Sequence, residues 1–466
     1  MSTAVEEGLE LYTNRYSDGS NGGAVLWGQE VLKSHYWSKQ IEIVNATFEH
    51  KRVSVKACHS STKTFTASDI ALAFLLLRFP AKVITTAPTF HQVQNLLWSE
   101  IRSKWNEHLA DEMGDVECLM TKIEIDPDWF MIGISPRLAV NMTGFHGPNV
   151  LIVVDEAPGV SEEIMEGLET LMASGNAHML KIGNPVDSSG HFYEDFRSSQ
   201  VHTISISYED TPNFIDLQDN PDPIDVNLPA HIKSELIQPE WVESRKQAWG
   251  EESPLFQSRC KGEFPDYTGG IIPLRLCVES IAREVTPTGD MVLGVDVGAG
   301  GDLTAYARRQ GQVIHDITTQ STPDPAMITQ RIIQMHERDK YRMVFVDSGG
   351  VGWHVESRLR ELGIPATGVS AGTGANDKDH YVLRRDELWA GMLDWLKEGG
   401  KLPNDMEIVA DLTAPKWVPE SANRFKVEKK EDTKKRLKRS PDRGDAANLS
   451  IISPKKKKTY KGHIVS

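Results

Sequence analysis

Short apolar runs alternate with segments of helical period through the first 265 residues. Runs at 53–58, 82–87, 150–154, 179–183 and 202–207 are β-branched and bounded by polar turns, which predicts strands. "SDIALAFLLLRF" (68–79) and "FHQVQNLLWSEIRSKW" (90–105) predict helices between them. This alternation predicts a mostly parallel sheet covered by helices. Residues 210–230, rich in Pro, Asp and Asn, predict a long loop, and the helical "PEWVESRKQAWGEES" follows. A second series opens at "MVLGVDVGAGGDLTAYARRQGQVIHDI" (291–317). It divides into three strands with turns at Gly298–Gly301 and Gln310–Gly311. A helix at 325–339, a strand within 342–350, helices at 353–362 and 382–398, and a last apolar stretch "DAANLSII" complete it. The expected organisation is a first domain over 1–265 with a helical lid near 230–265. A linker over 266–288, a second α/β domain over 289–452 and a basic tail over 453–466 follow.

Composition narrows the class. A chain of 466 residues is too long for one core, which predicts at least two domains. Apolar content of 39% and charged content of 25% are those of an ordinary globular protein. No apolar run approaches ~18 residues, so no membrane span is expected. The acidic "MSTAVEEGLELY" has no apolar core, so no secretory leader is expected. Four dispersed cysteines suit a reducing cytoplasm. A net charge of −15 argues against a protein that coats nucleic acid. Positive charge is concentrated in "KVEKKEDTKKRLKRS" (426–440) and "SPKKKKTYKGH" (453–463), read either as solvated tail or as phosphate contacts.

Two constellations carry chemistry. "VSVKACHSSTKTFTASDIALAF" (53–74) is a strand, a polar turn, Lys63-Thr64 and an apolar helix, the plan of a phosphate-binding loop. Its turn has Ala57 and Thr62 where glycine is usual, and a β-branched Thr62 resists positive φ. Ser60, Ser61 and Thr62 are expected to offer hydroxyls to phosphate. Slow or weak ATP binding is expected, tightened by Thr62→Gly. Lys63 would neutralise phosphates and Thr64 would ligate magnesium. In "VLIVVDEAPGV" Asp155 would hold the ion and Glu156 would deprotonate the attacking water. Asn184 in "KIGNP" would read the γ-phosphate, and Gln40 would contact adenine. The expected fold is a P-loop NTPase parallel sheet with a helical lid.

The second series places acids at strand ends: Asp296, Asp347, then Asp442 and Asp445 in "SPDRGDAANLS", with Asp302 an additional candidate. Clustered carboxylates repel unless a cation joins them, and two divalent ions would cut a phosphodiester. Three strands and then a helix, with Asp on the first strand, are the layout of an RNase H-like nuclease using Mg2+ or Mn2+.

Taken together, "YWSKQ", "ACHSSTKTFTAS", "VITTAPTFHQV", "GFHGPNVLIVVDEAPGV", "KIGNP", "YEDTPNF", "GVDVGAGGDLTAY", "VDSGGVGWHVESRLRELG" and "SPDRGDAANLS" resemble, in order, the large terminase subunit of tailed bacteriophages. The resemblance implies a motor that hydrolyses ATP to move double-stranded DNA into a procapsid, and a nuclease that cuts the concatemer. It implies the adenine role for Gln40, phosphate roles for Lys63 and Thr64, and metal and base roles for Asp155 and Glu156. It gives Asn184 a coupling role and the nuclease metal roles to Asp296, Asp347 and Asp442, with Asp445 the rival third acid. Arg102 is its candidate trans-acting arginine. The implied partners are a small terminase subunit, the portal protein and other copies of the chain in a ring. The implied place is the host cytoplasm, with transient residence on the procapsid and no membrane. The alternatives are a helicase-type ATPase fused to a repair nuclease, or a capsid-associated structural protein with an inactive nucleotide site.

Overall fold

A computed structural model describes residues 12–135, 145–173, 175–265, 269–298, 302–418 and 424–453. The tail beyond 453, part of the Gly298–Gly301 turn and the start of the 266–288 linker lie outside the described residues. The chain forms two compact units, one of 1–246 with 255–266, the other of 247–254 with 267–466.

The first unit holds a seven-stranded sheet in the order β3-β4-β2-β5-β6-β1-β7. Its strands are β1 (Arg52–Ala57), β2 (Ala81–Thr86), β3 (Lys122–Asp126), β4 (Trp129–Gly133), β5 (Asn149–Val154), β6 (Ala177–Gly183) and β7 (His202–Ile206). All neighbours are parallel except β3 and β4. The five strands read from the apolar runs are β1, β2, β5, β6 and β7, and they form the P-loop NTPase sheet expected. The β3–β4 hairpin was not expected. The helix expected over 90–105 runs on to Met113, interrupted by π turns at Val93–Leu97 and Trp105–Leu109. The loop at 210–230 contains short helical turns, Pro212–Leu217 and Pro223–Val226.

The helix Lys63–Leu77 is apolar nearly all round and is buried on nearly every face, as such helices must be. Asp69 is a buried charge in its interior. Its carboxylate accepts from Ser34 Oγ at 2.6 Å and Tyr36 OH at 2.7 Å, and it pairs with the ammonium of Lys104. Lys104 Nζ also donates to Phe65 O at 3.0 Å and Ser68 Oγ at 2.7 Å. A buried charge of this kind stands only when paired and fully hydrogen-bonded.

The second unit holds a five-stranded sheet, β10-β9-β8-β11-β12. Its strands are β8 (Met291–Asp296), β9 (Thr304–Gln310), β10 (Val313–Gln320), β11 (Met343–Asp347) and β12 (Ala366–Val369). The first three form an antiparallel meander, and β11 and β12 add in parallel beside β8. This is the RNase H-like arrangement. The helix expected at 325–339 is Pro325–Asp339, whereas β12 and the helices Met406–Thr413 and Lys430–Leu437 were not expected.

The basic run 426–440 is not a solvated tail, although Lys429, Lys435 and Lys438 stay exposed. It folds into the second unit, with Lys430 paired to Asp445, Lys434 to Asp302, Arg436 to Glu428 and Arg439 to Asp411. Among the described residues no helix is long and apolar enough to cross a membrane.

Candidate functional site

The carboxyl ends of β1, β5 and β6 meet at one edge of the first sheet, where parallel α/β sheets place their ligand crevices. The loop from Ala57 to Lys63 leaves β1 there. Its two tightest positions, Ser60 and Thr62, have φ of 49° and 59°. Thr62 thus adopts the left-handed conformation that glycine usually supplies. Its hydroxyl is why this holds: Oγ1 accepts from Gln40 Nε2 at 2.9 Å and Trp37 Nε1 at 3.4 Å, and donates to Ser61 O at 2.6 Å. The backbone is strained, and the surroundings over-determine it.

These bonds change three expectations. Gln40 is buried, and its second amide hydrogen goes to Thr66 Oγ1 at 3.0 Å while its Oε1 accepts from Trp37 N at 3.1 Å. It braces the loop, and both its donors are engaged within the protein. The Thr62 hydroxyl is directed at the same brace and Ser61 Oγ at Cys58 O (3.1 Å), so these two hydroxyls face into the loop; Ser60 alone of the three is exposed. The Ser60 carbonyl accepts from Ile237 N at 3.0 Å.

Lys63 opens the helix Lys63–Leu77, with its Nζ donating to Cys58 O at 2.8 Å. Burial lowers its pKa, against the pull of Glu156 and Asp155. Thr64 Oγ1 donates to Asp155 Oδ2 at 3.1 Å. Asp155 is buried, and burial, then the neighbouring Glu156 charge, pushes its carboxyl up to about 7. The other oxygen, Oδ1, accepts from the Glu156 N–H at 2.9 Å, with Glu156 itself at φ 48°. The half-buried Thr64 hydroxyl, in the first turn of the helix, and the buried Asp155 carboxylate just after β5 are hard oxygen donors that suit a small hard cation, and they fit magnesium. Asn184 follows β6. Its Nδ2 donates to Ala57 O at 2.6 Å and its Oδ1 accepts from Arg259 Nη1 at 2.9 Å. Gly183 is required just before it, because a Cβ there would meet Pro158 Cδ at 2.5 Å.

In the second unit Asp296 and Asp347 end the paired strands β8 and β11. The helix Asp442–Ser450 lies directly on β8, since a Cβ on Gly294 would meet Ala446 O at 2.2 Å. A cavity of about 80 Å³, room for roughly two or three waters, is lined by Asp296, Asp347, Lys430, Asp445, Asn448 and Arg385 among others. The third acid facing it is Asp445. Asp442 instead accepts from Leu303 N at 3.0 Å through Oδ2 and leaves Oδ1 buried without a partner. Asp302, paired with Lys434, lies nearer to Asp442. Burial raises the carboxyls of Asp296, Asp347 and Asp442. Against the cost of its own burial, Asp445 and Asp296 hold the Lys430 ammonium above its ordinary range. Among the described residues, no three acid, imidazole or thiol groups converge closely enough as they stand to hold one ion. Lys430, 2.7 Å from Asp445, provides the counter-charge instead. Both polar atoms of the buried Asn448 lack partners at the same cavity, so the donor set fits hydrated divalent cations.

Sequence reasoning missed Arg259, Lys430 and Asn448. Lys430 had a signal: acids begin "KEDTKKRL" and bases end it, as in a helix. Arg259 had none, because its partner Asn184 is 75 residues away. Arg102 donates to the carbonyls of Met120 (2.6 Å) and Gln94 (3.3 Å) within its own unit.

No family model matches the chain. A curated protein, the probable terminase large subunit of Enterobacteria phage P7, is 22% identical over 461 residues, covering 92% of this chain and 89% of that protein. A solved large terminase from a thermophilic bacteriophage, in complex with ATP-gamma-S, is 11% identical, covers 88% of this chain and 97% of its own, and has a TM-score of 0.38. The nuclease domain of the large terminase subunit gp2 of bacterial virus Sf6 is 18% identical, covers 40% of this chain and 99% of its own, and has a TM-score of 0.36.

Proposed function

We propose that this chain is the ATPase and nuclease subunit of a viral DNA-packaging motor. The observation that carries the reading is the pairing of two built sites in one chain. One is the Lys63–Thr64–Asp155–Glu156 crevice on a P-loop sheet, the other an acid cavity on an RNase H-like sheet. Likeness to a probable terminase large subunit across 92% of the chain supports it.

ATP is the substrate of the first site. Its phosphates would meet the amino end of the helix Lys63–Leu77, where unpaired backbone donors and the helix dipole favour anions. Lys63 would leave the Cys58 carbonyl for the β- and γ-phosphates. Glu156 would take the proton of the attacking water, and Asn184, bonded to Ala57 at the loop's base, would register loss of the γ-phosphate. Magnesium, when bound at Thr64 and Asp155, would neutralise phosphate charge, and divalent ions at Asp296, Asp347 and Asp445 would activate water and stabilise the leaving oxygen. Lys430 would yield Asp445 to them. Double-stranded DNA would be gripped through phosphates, since a packaging motor must ignore sequence. A ring of copies on the portal, fed by a small terminase subunit in the host cytoplasm, completes the reading.

The test is ATP turnover with and without procapsids, for the natural chain and Lys63→Ala. Magnesium-dependent turnover, raised by procapsids and lost in the variant, is expected. Absence of turnover under both conditions overturns the proposal. Strand displacement on forked DNA would transfer the chain to the helicase class.

A further inference from the structure

Resting on that reading of the nucleotide site, we infer that Arg259 is a terminal-phosphate ligand supplied in cis, and that its bond to Asn184 makes the helix Pro254–Arg259 respond to whether ATP or ADP is bound.

The backbone around Arg259 is built onto the loop. Its carbonyl accepts from His59 N at 2.7 Å, and the Cys260 carbonyl accepts from Tyr208 N at 2.9 Å. Two residues on, Gly262 has φ 62° and packs so closely that a Cβ would meet Ile206 O at 2.2 Å and Cys58 N at 3.0 Å. The guanidinium is therefore held at the crevice by the same segment that closes the loop's base.

The side chain is half satisfied. Nη1 donates to Asn184 Oδ1 at 2.9 Å, whereas Nε is buried without a hydrogen-bond partner. A buried unpaired N–H on a charged group is costly unless a ligand takes it. The charges agree. Burial and the neighbouring Arg259 both disfavour the Lys63 ammonium, and Glu156 is the leading charge that favours each of the two cations. Lys63 and the half-buried Arg259 face Glu156 and Asp155 at this crevice, so an arriving phosphate meets two cationic donors. A guanidinium fork suits phosphate oxygens, so one edge reaching the γ-phosphate while the other holds Asn184 uses every donor named. With ADP the first contact is lost and Asn184 keeps the arginine.

Magnesium ATP-γ-S and magnesium ADP are titrated calorimetrically into the full chain, Arg259→Gln and Arg259→Lys. In Arg259→Gln, ATP-γ-S affinity should fall about ten- to a hundred-fold, with ADP affinity within about three-fold of the parent. Hydrogen exchange over residues 254–262 should differ between the two nucleotides in the parent and not in the variant. Equal weakening of both nucleotides would mark a structural role and overturn the inference. A parent that prefers ATP-γ-S and a variant that keeps the same preference would overturn it alone. A parent that binds neither nucleotide would remove the underlying reading as well. Should Arg259→Gln unfold, Arg259→Lys, which keeps the charge but loses the fork, carries the same comparison.

Discussion

Asp155→Asn should make the ligand-free first unit more stable while destroying its ATPase. The native carboxyl is buried, and burial together with Glu156 moves it from an ordinary 3.8 to about 7. The sign follows from proton counting. Between about pH 4 and pH 7 the folded chain keeps a proton that the unfolded chain has released, so rising pH removes stability across that window. Above it, the full penalty stands. Roughly three pH units at about 1.4 kcal/mol each set an upper bound near 4 kcal/mol. Glu156 supplies part of the displacement, so a neutral, nearly isosteric Asn should recover about 2–3 kcal/mol at pH 8. Asn keeps Oδ1 for the Glu156 N–H and turns its Nδ2 to the Thr64 hydroxyl 3.1 Å away, which then accepts instead of donating, so both contacts can persist. Calorimetric melts at pH 5 and pH 8, without nucleotide or divalent metal, provide the assay. The transition of the first unit is identified as the one that ATP-γ-S raises in the parent. The variant should melt higher than the parent at both values, by roughly a third of the full gap at pH 5 and by all of it at pH 8. A variant lower at both values, or a gap independent of pH, would refute the reasoning.

Thr62→Val keeps the branched side chain in its left-handed backbone but removes the hydroxyl that takes a Gln40 hydrogen, and should cost about 1–3 kcal/mol in thermal melts. Thr62→Gly trades that bond for relief of strain, so its stability should stay within about 1 kcal/mol of the parent while ATP affinity rises; abolished binding would contradict this. Lys104→Met leaves Asp69 buried and unpaired and should cost about 3–5 kcal/mol, most of it restored when Asp69→Asn is added; no restoration would refute the pairing account. Asp445→Asn should abolish manganese-dependent nicking of supercoiled plasmid, whereas Asp442→Asn should nick more than Asp445→Asn but melt lower, because Asp442 holds Leu303 N; a reversed order would exchange their roles.

Much of the fold is legible in the sequence because a parallel sheet buries both faces of each strand. β5 (NVLIVV) is accordingly a near-continuous apolar run, and β1, β2 and β6, though mixed in sequence, carry short β-branched or apolar stretches between turn residues. The β3–β4 hairpin escapes because only its second strand is mostly buried, and "DPD" interrupts the alternation. Asp155, Glu156, Asn184, Asp296 and Asp347 are visible because each ends or directly follows such a run. Their chemistry is an extension of a local pattern. Arg259 and Lys430 act through contacts spanning 75 residues in one case and, by numbering, 15 in the other, and neither contact leaves a mark on its neighbours. The loop hydroxyls mislead for a related reason. Sequence shows that Ser61 and Thr62 carry donors, but only the placement of Gln40 and the Cys58 carbonyl decides where those groups turn.

The ion pair beneath the phosphate loop solves a problem that apolar packing creates. A helix that is greasy on every side gains nearly the same burial at any rotation about its own axis, so packing alone leaves its angular phase undetermined. In Lys63–Leu77 the phase matters, because turning it would swing Lys63 and Thr64 away from Asp155. At about 100° per residue, Asp69 stands roughly 120° around the axis from Lys63. There Ser34 and Tyr36 from one segment and Lys104 from another grip it. The aim of the phosphate-binding groups is thus set like the bearing of a key, by teeth on the flank that no substrate touches. Loosening those teeth would blur catalysis before it unfolds the sheet.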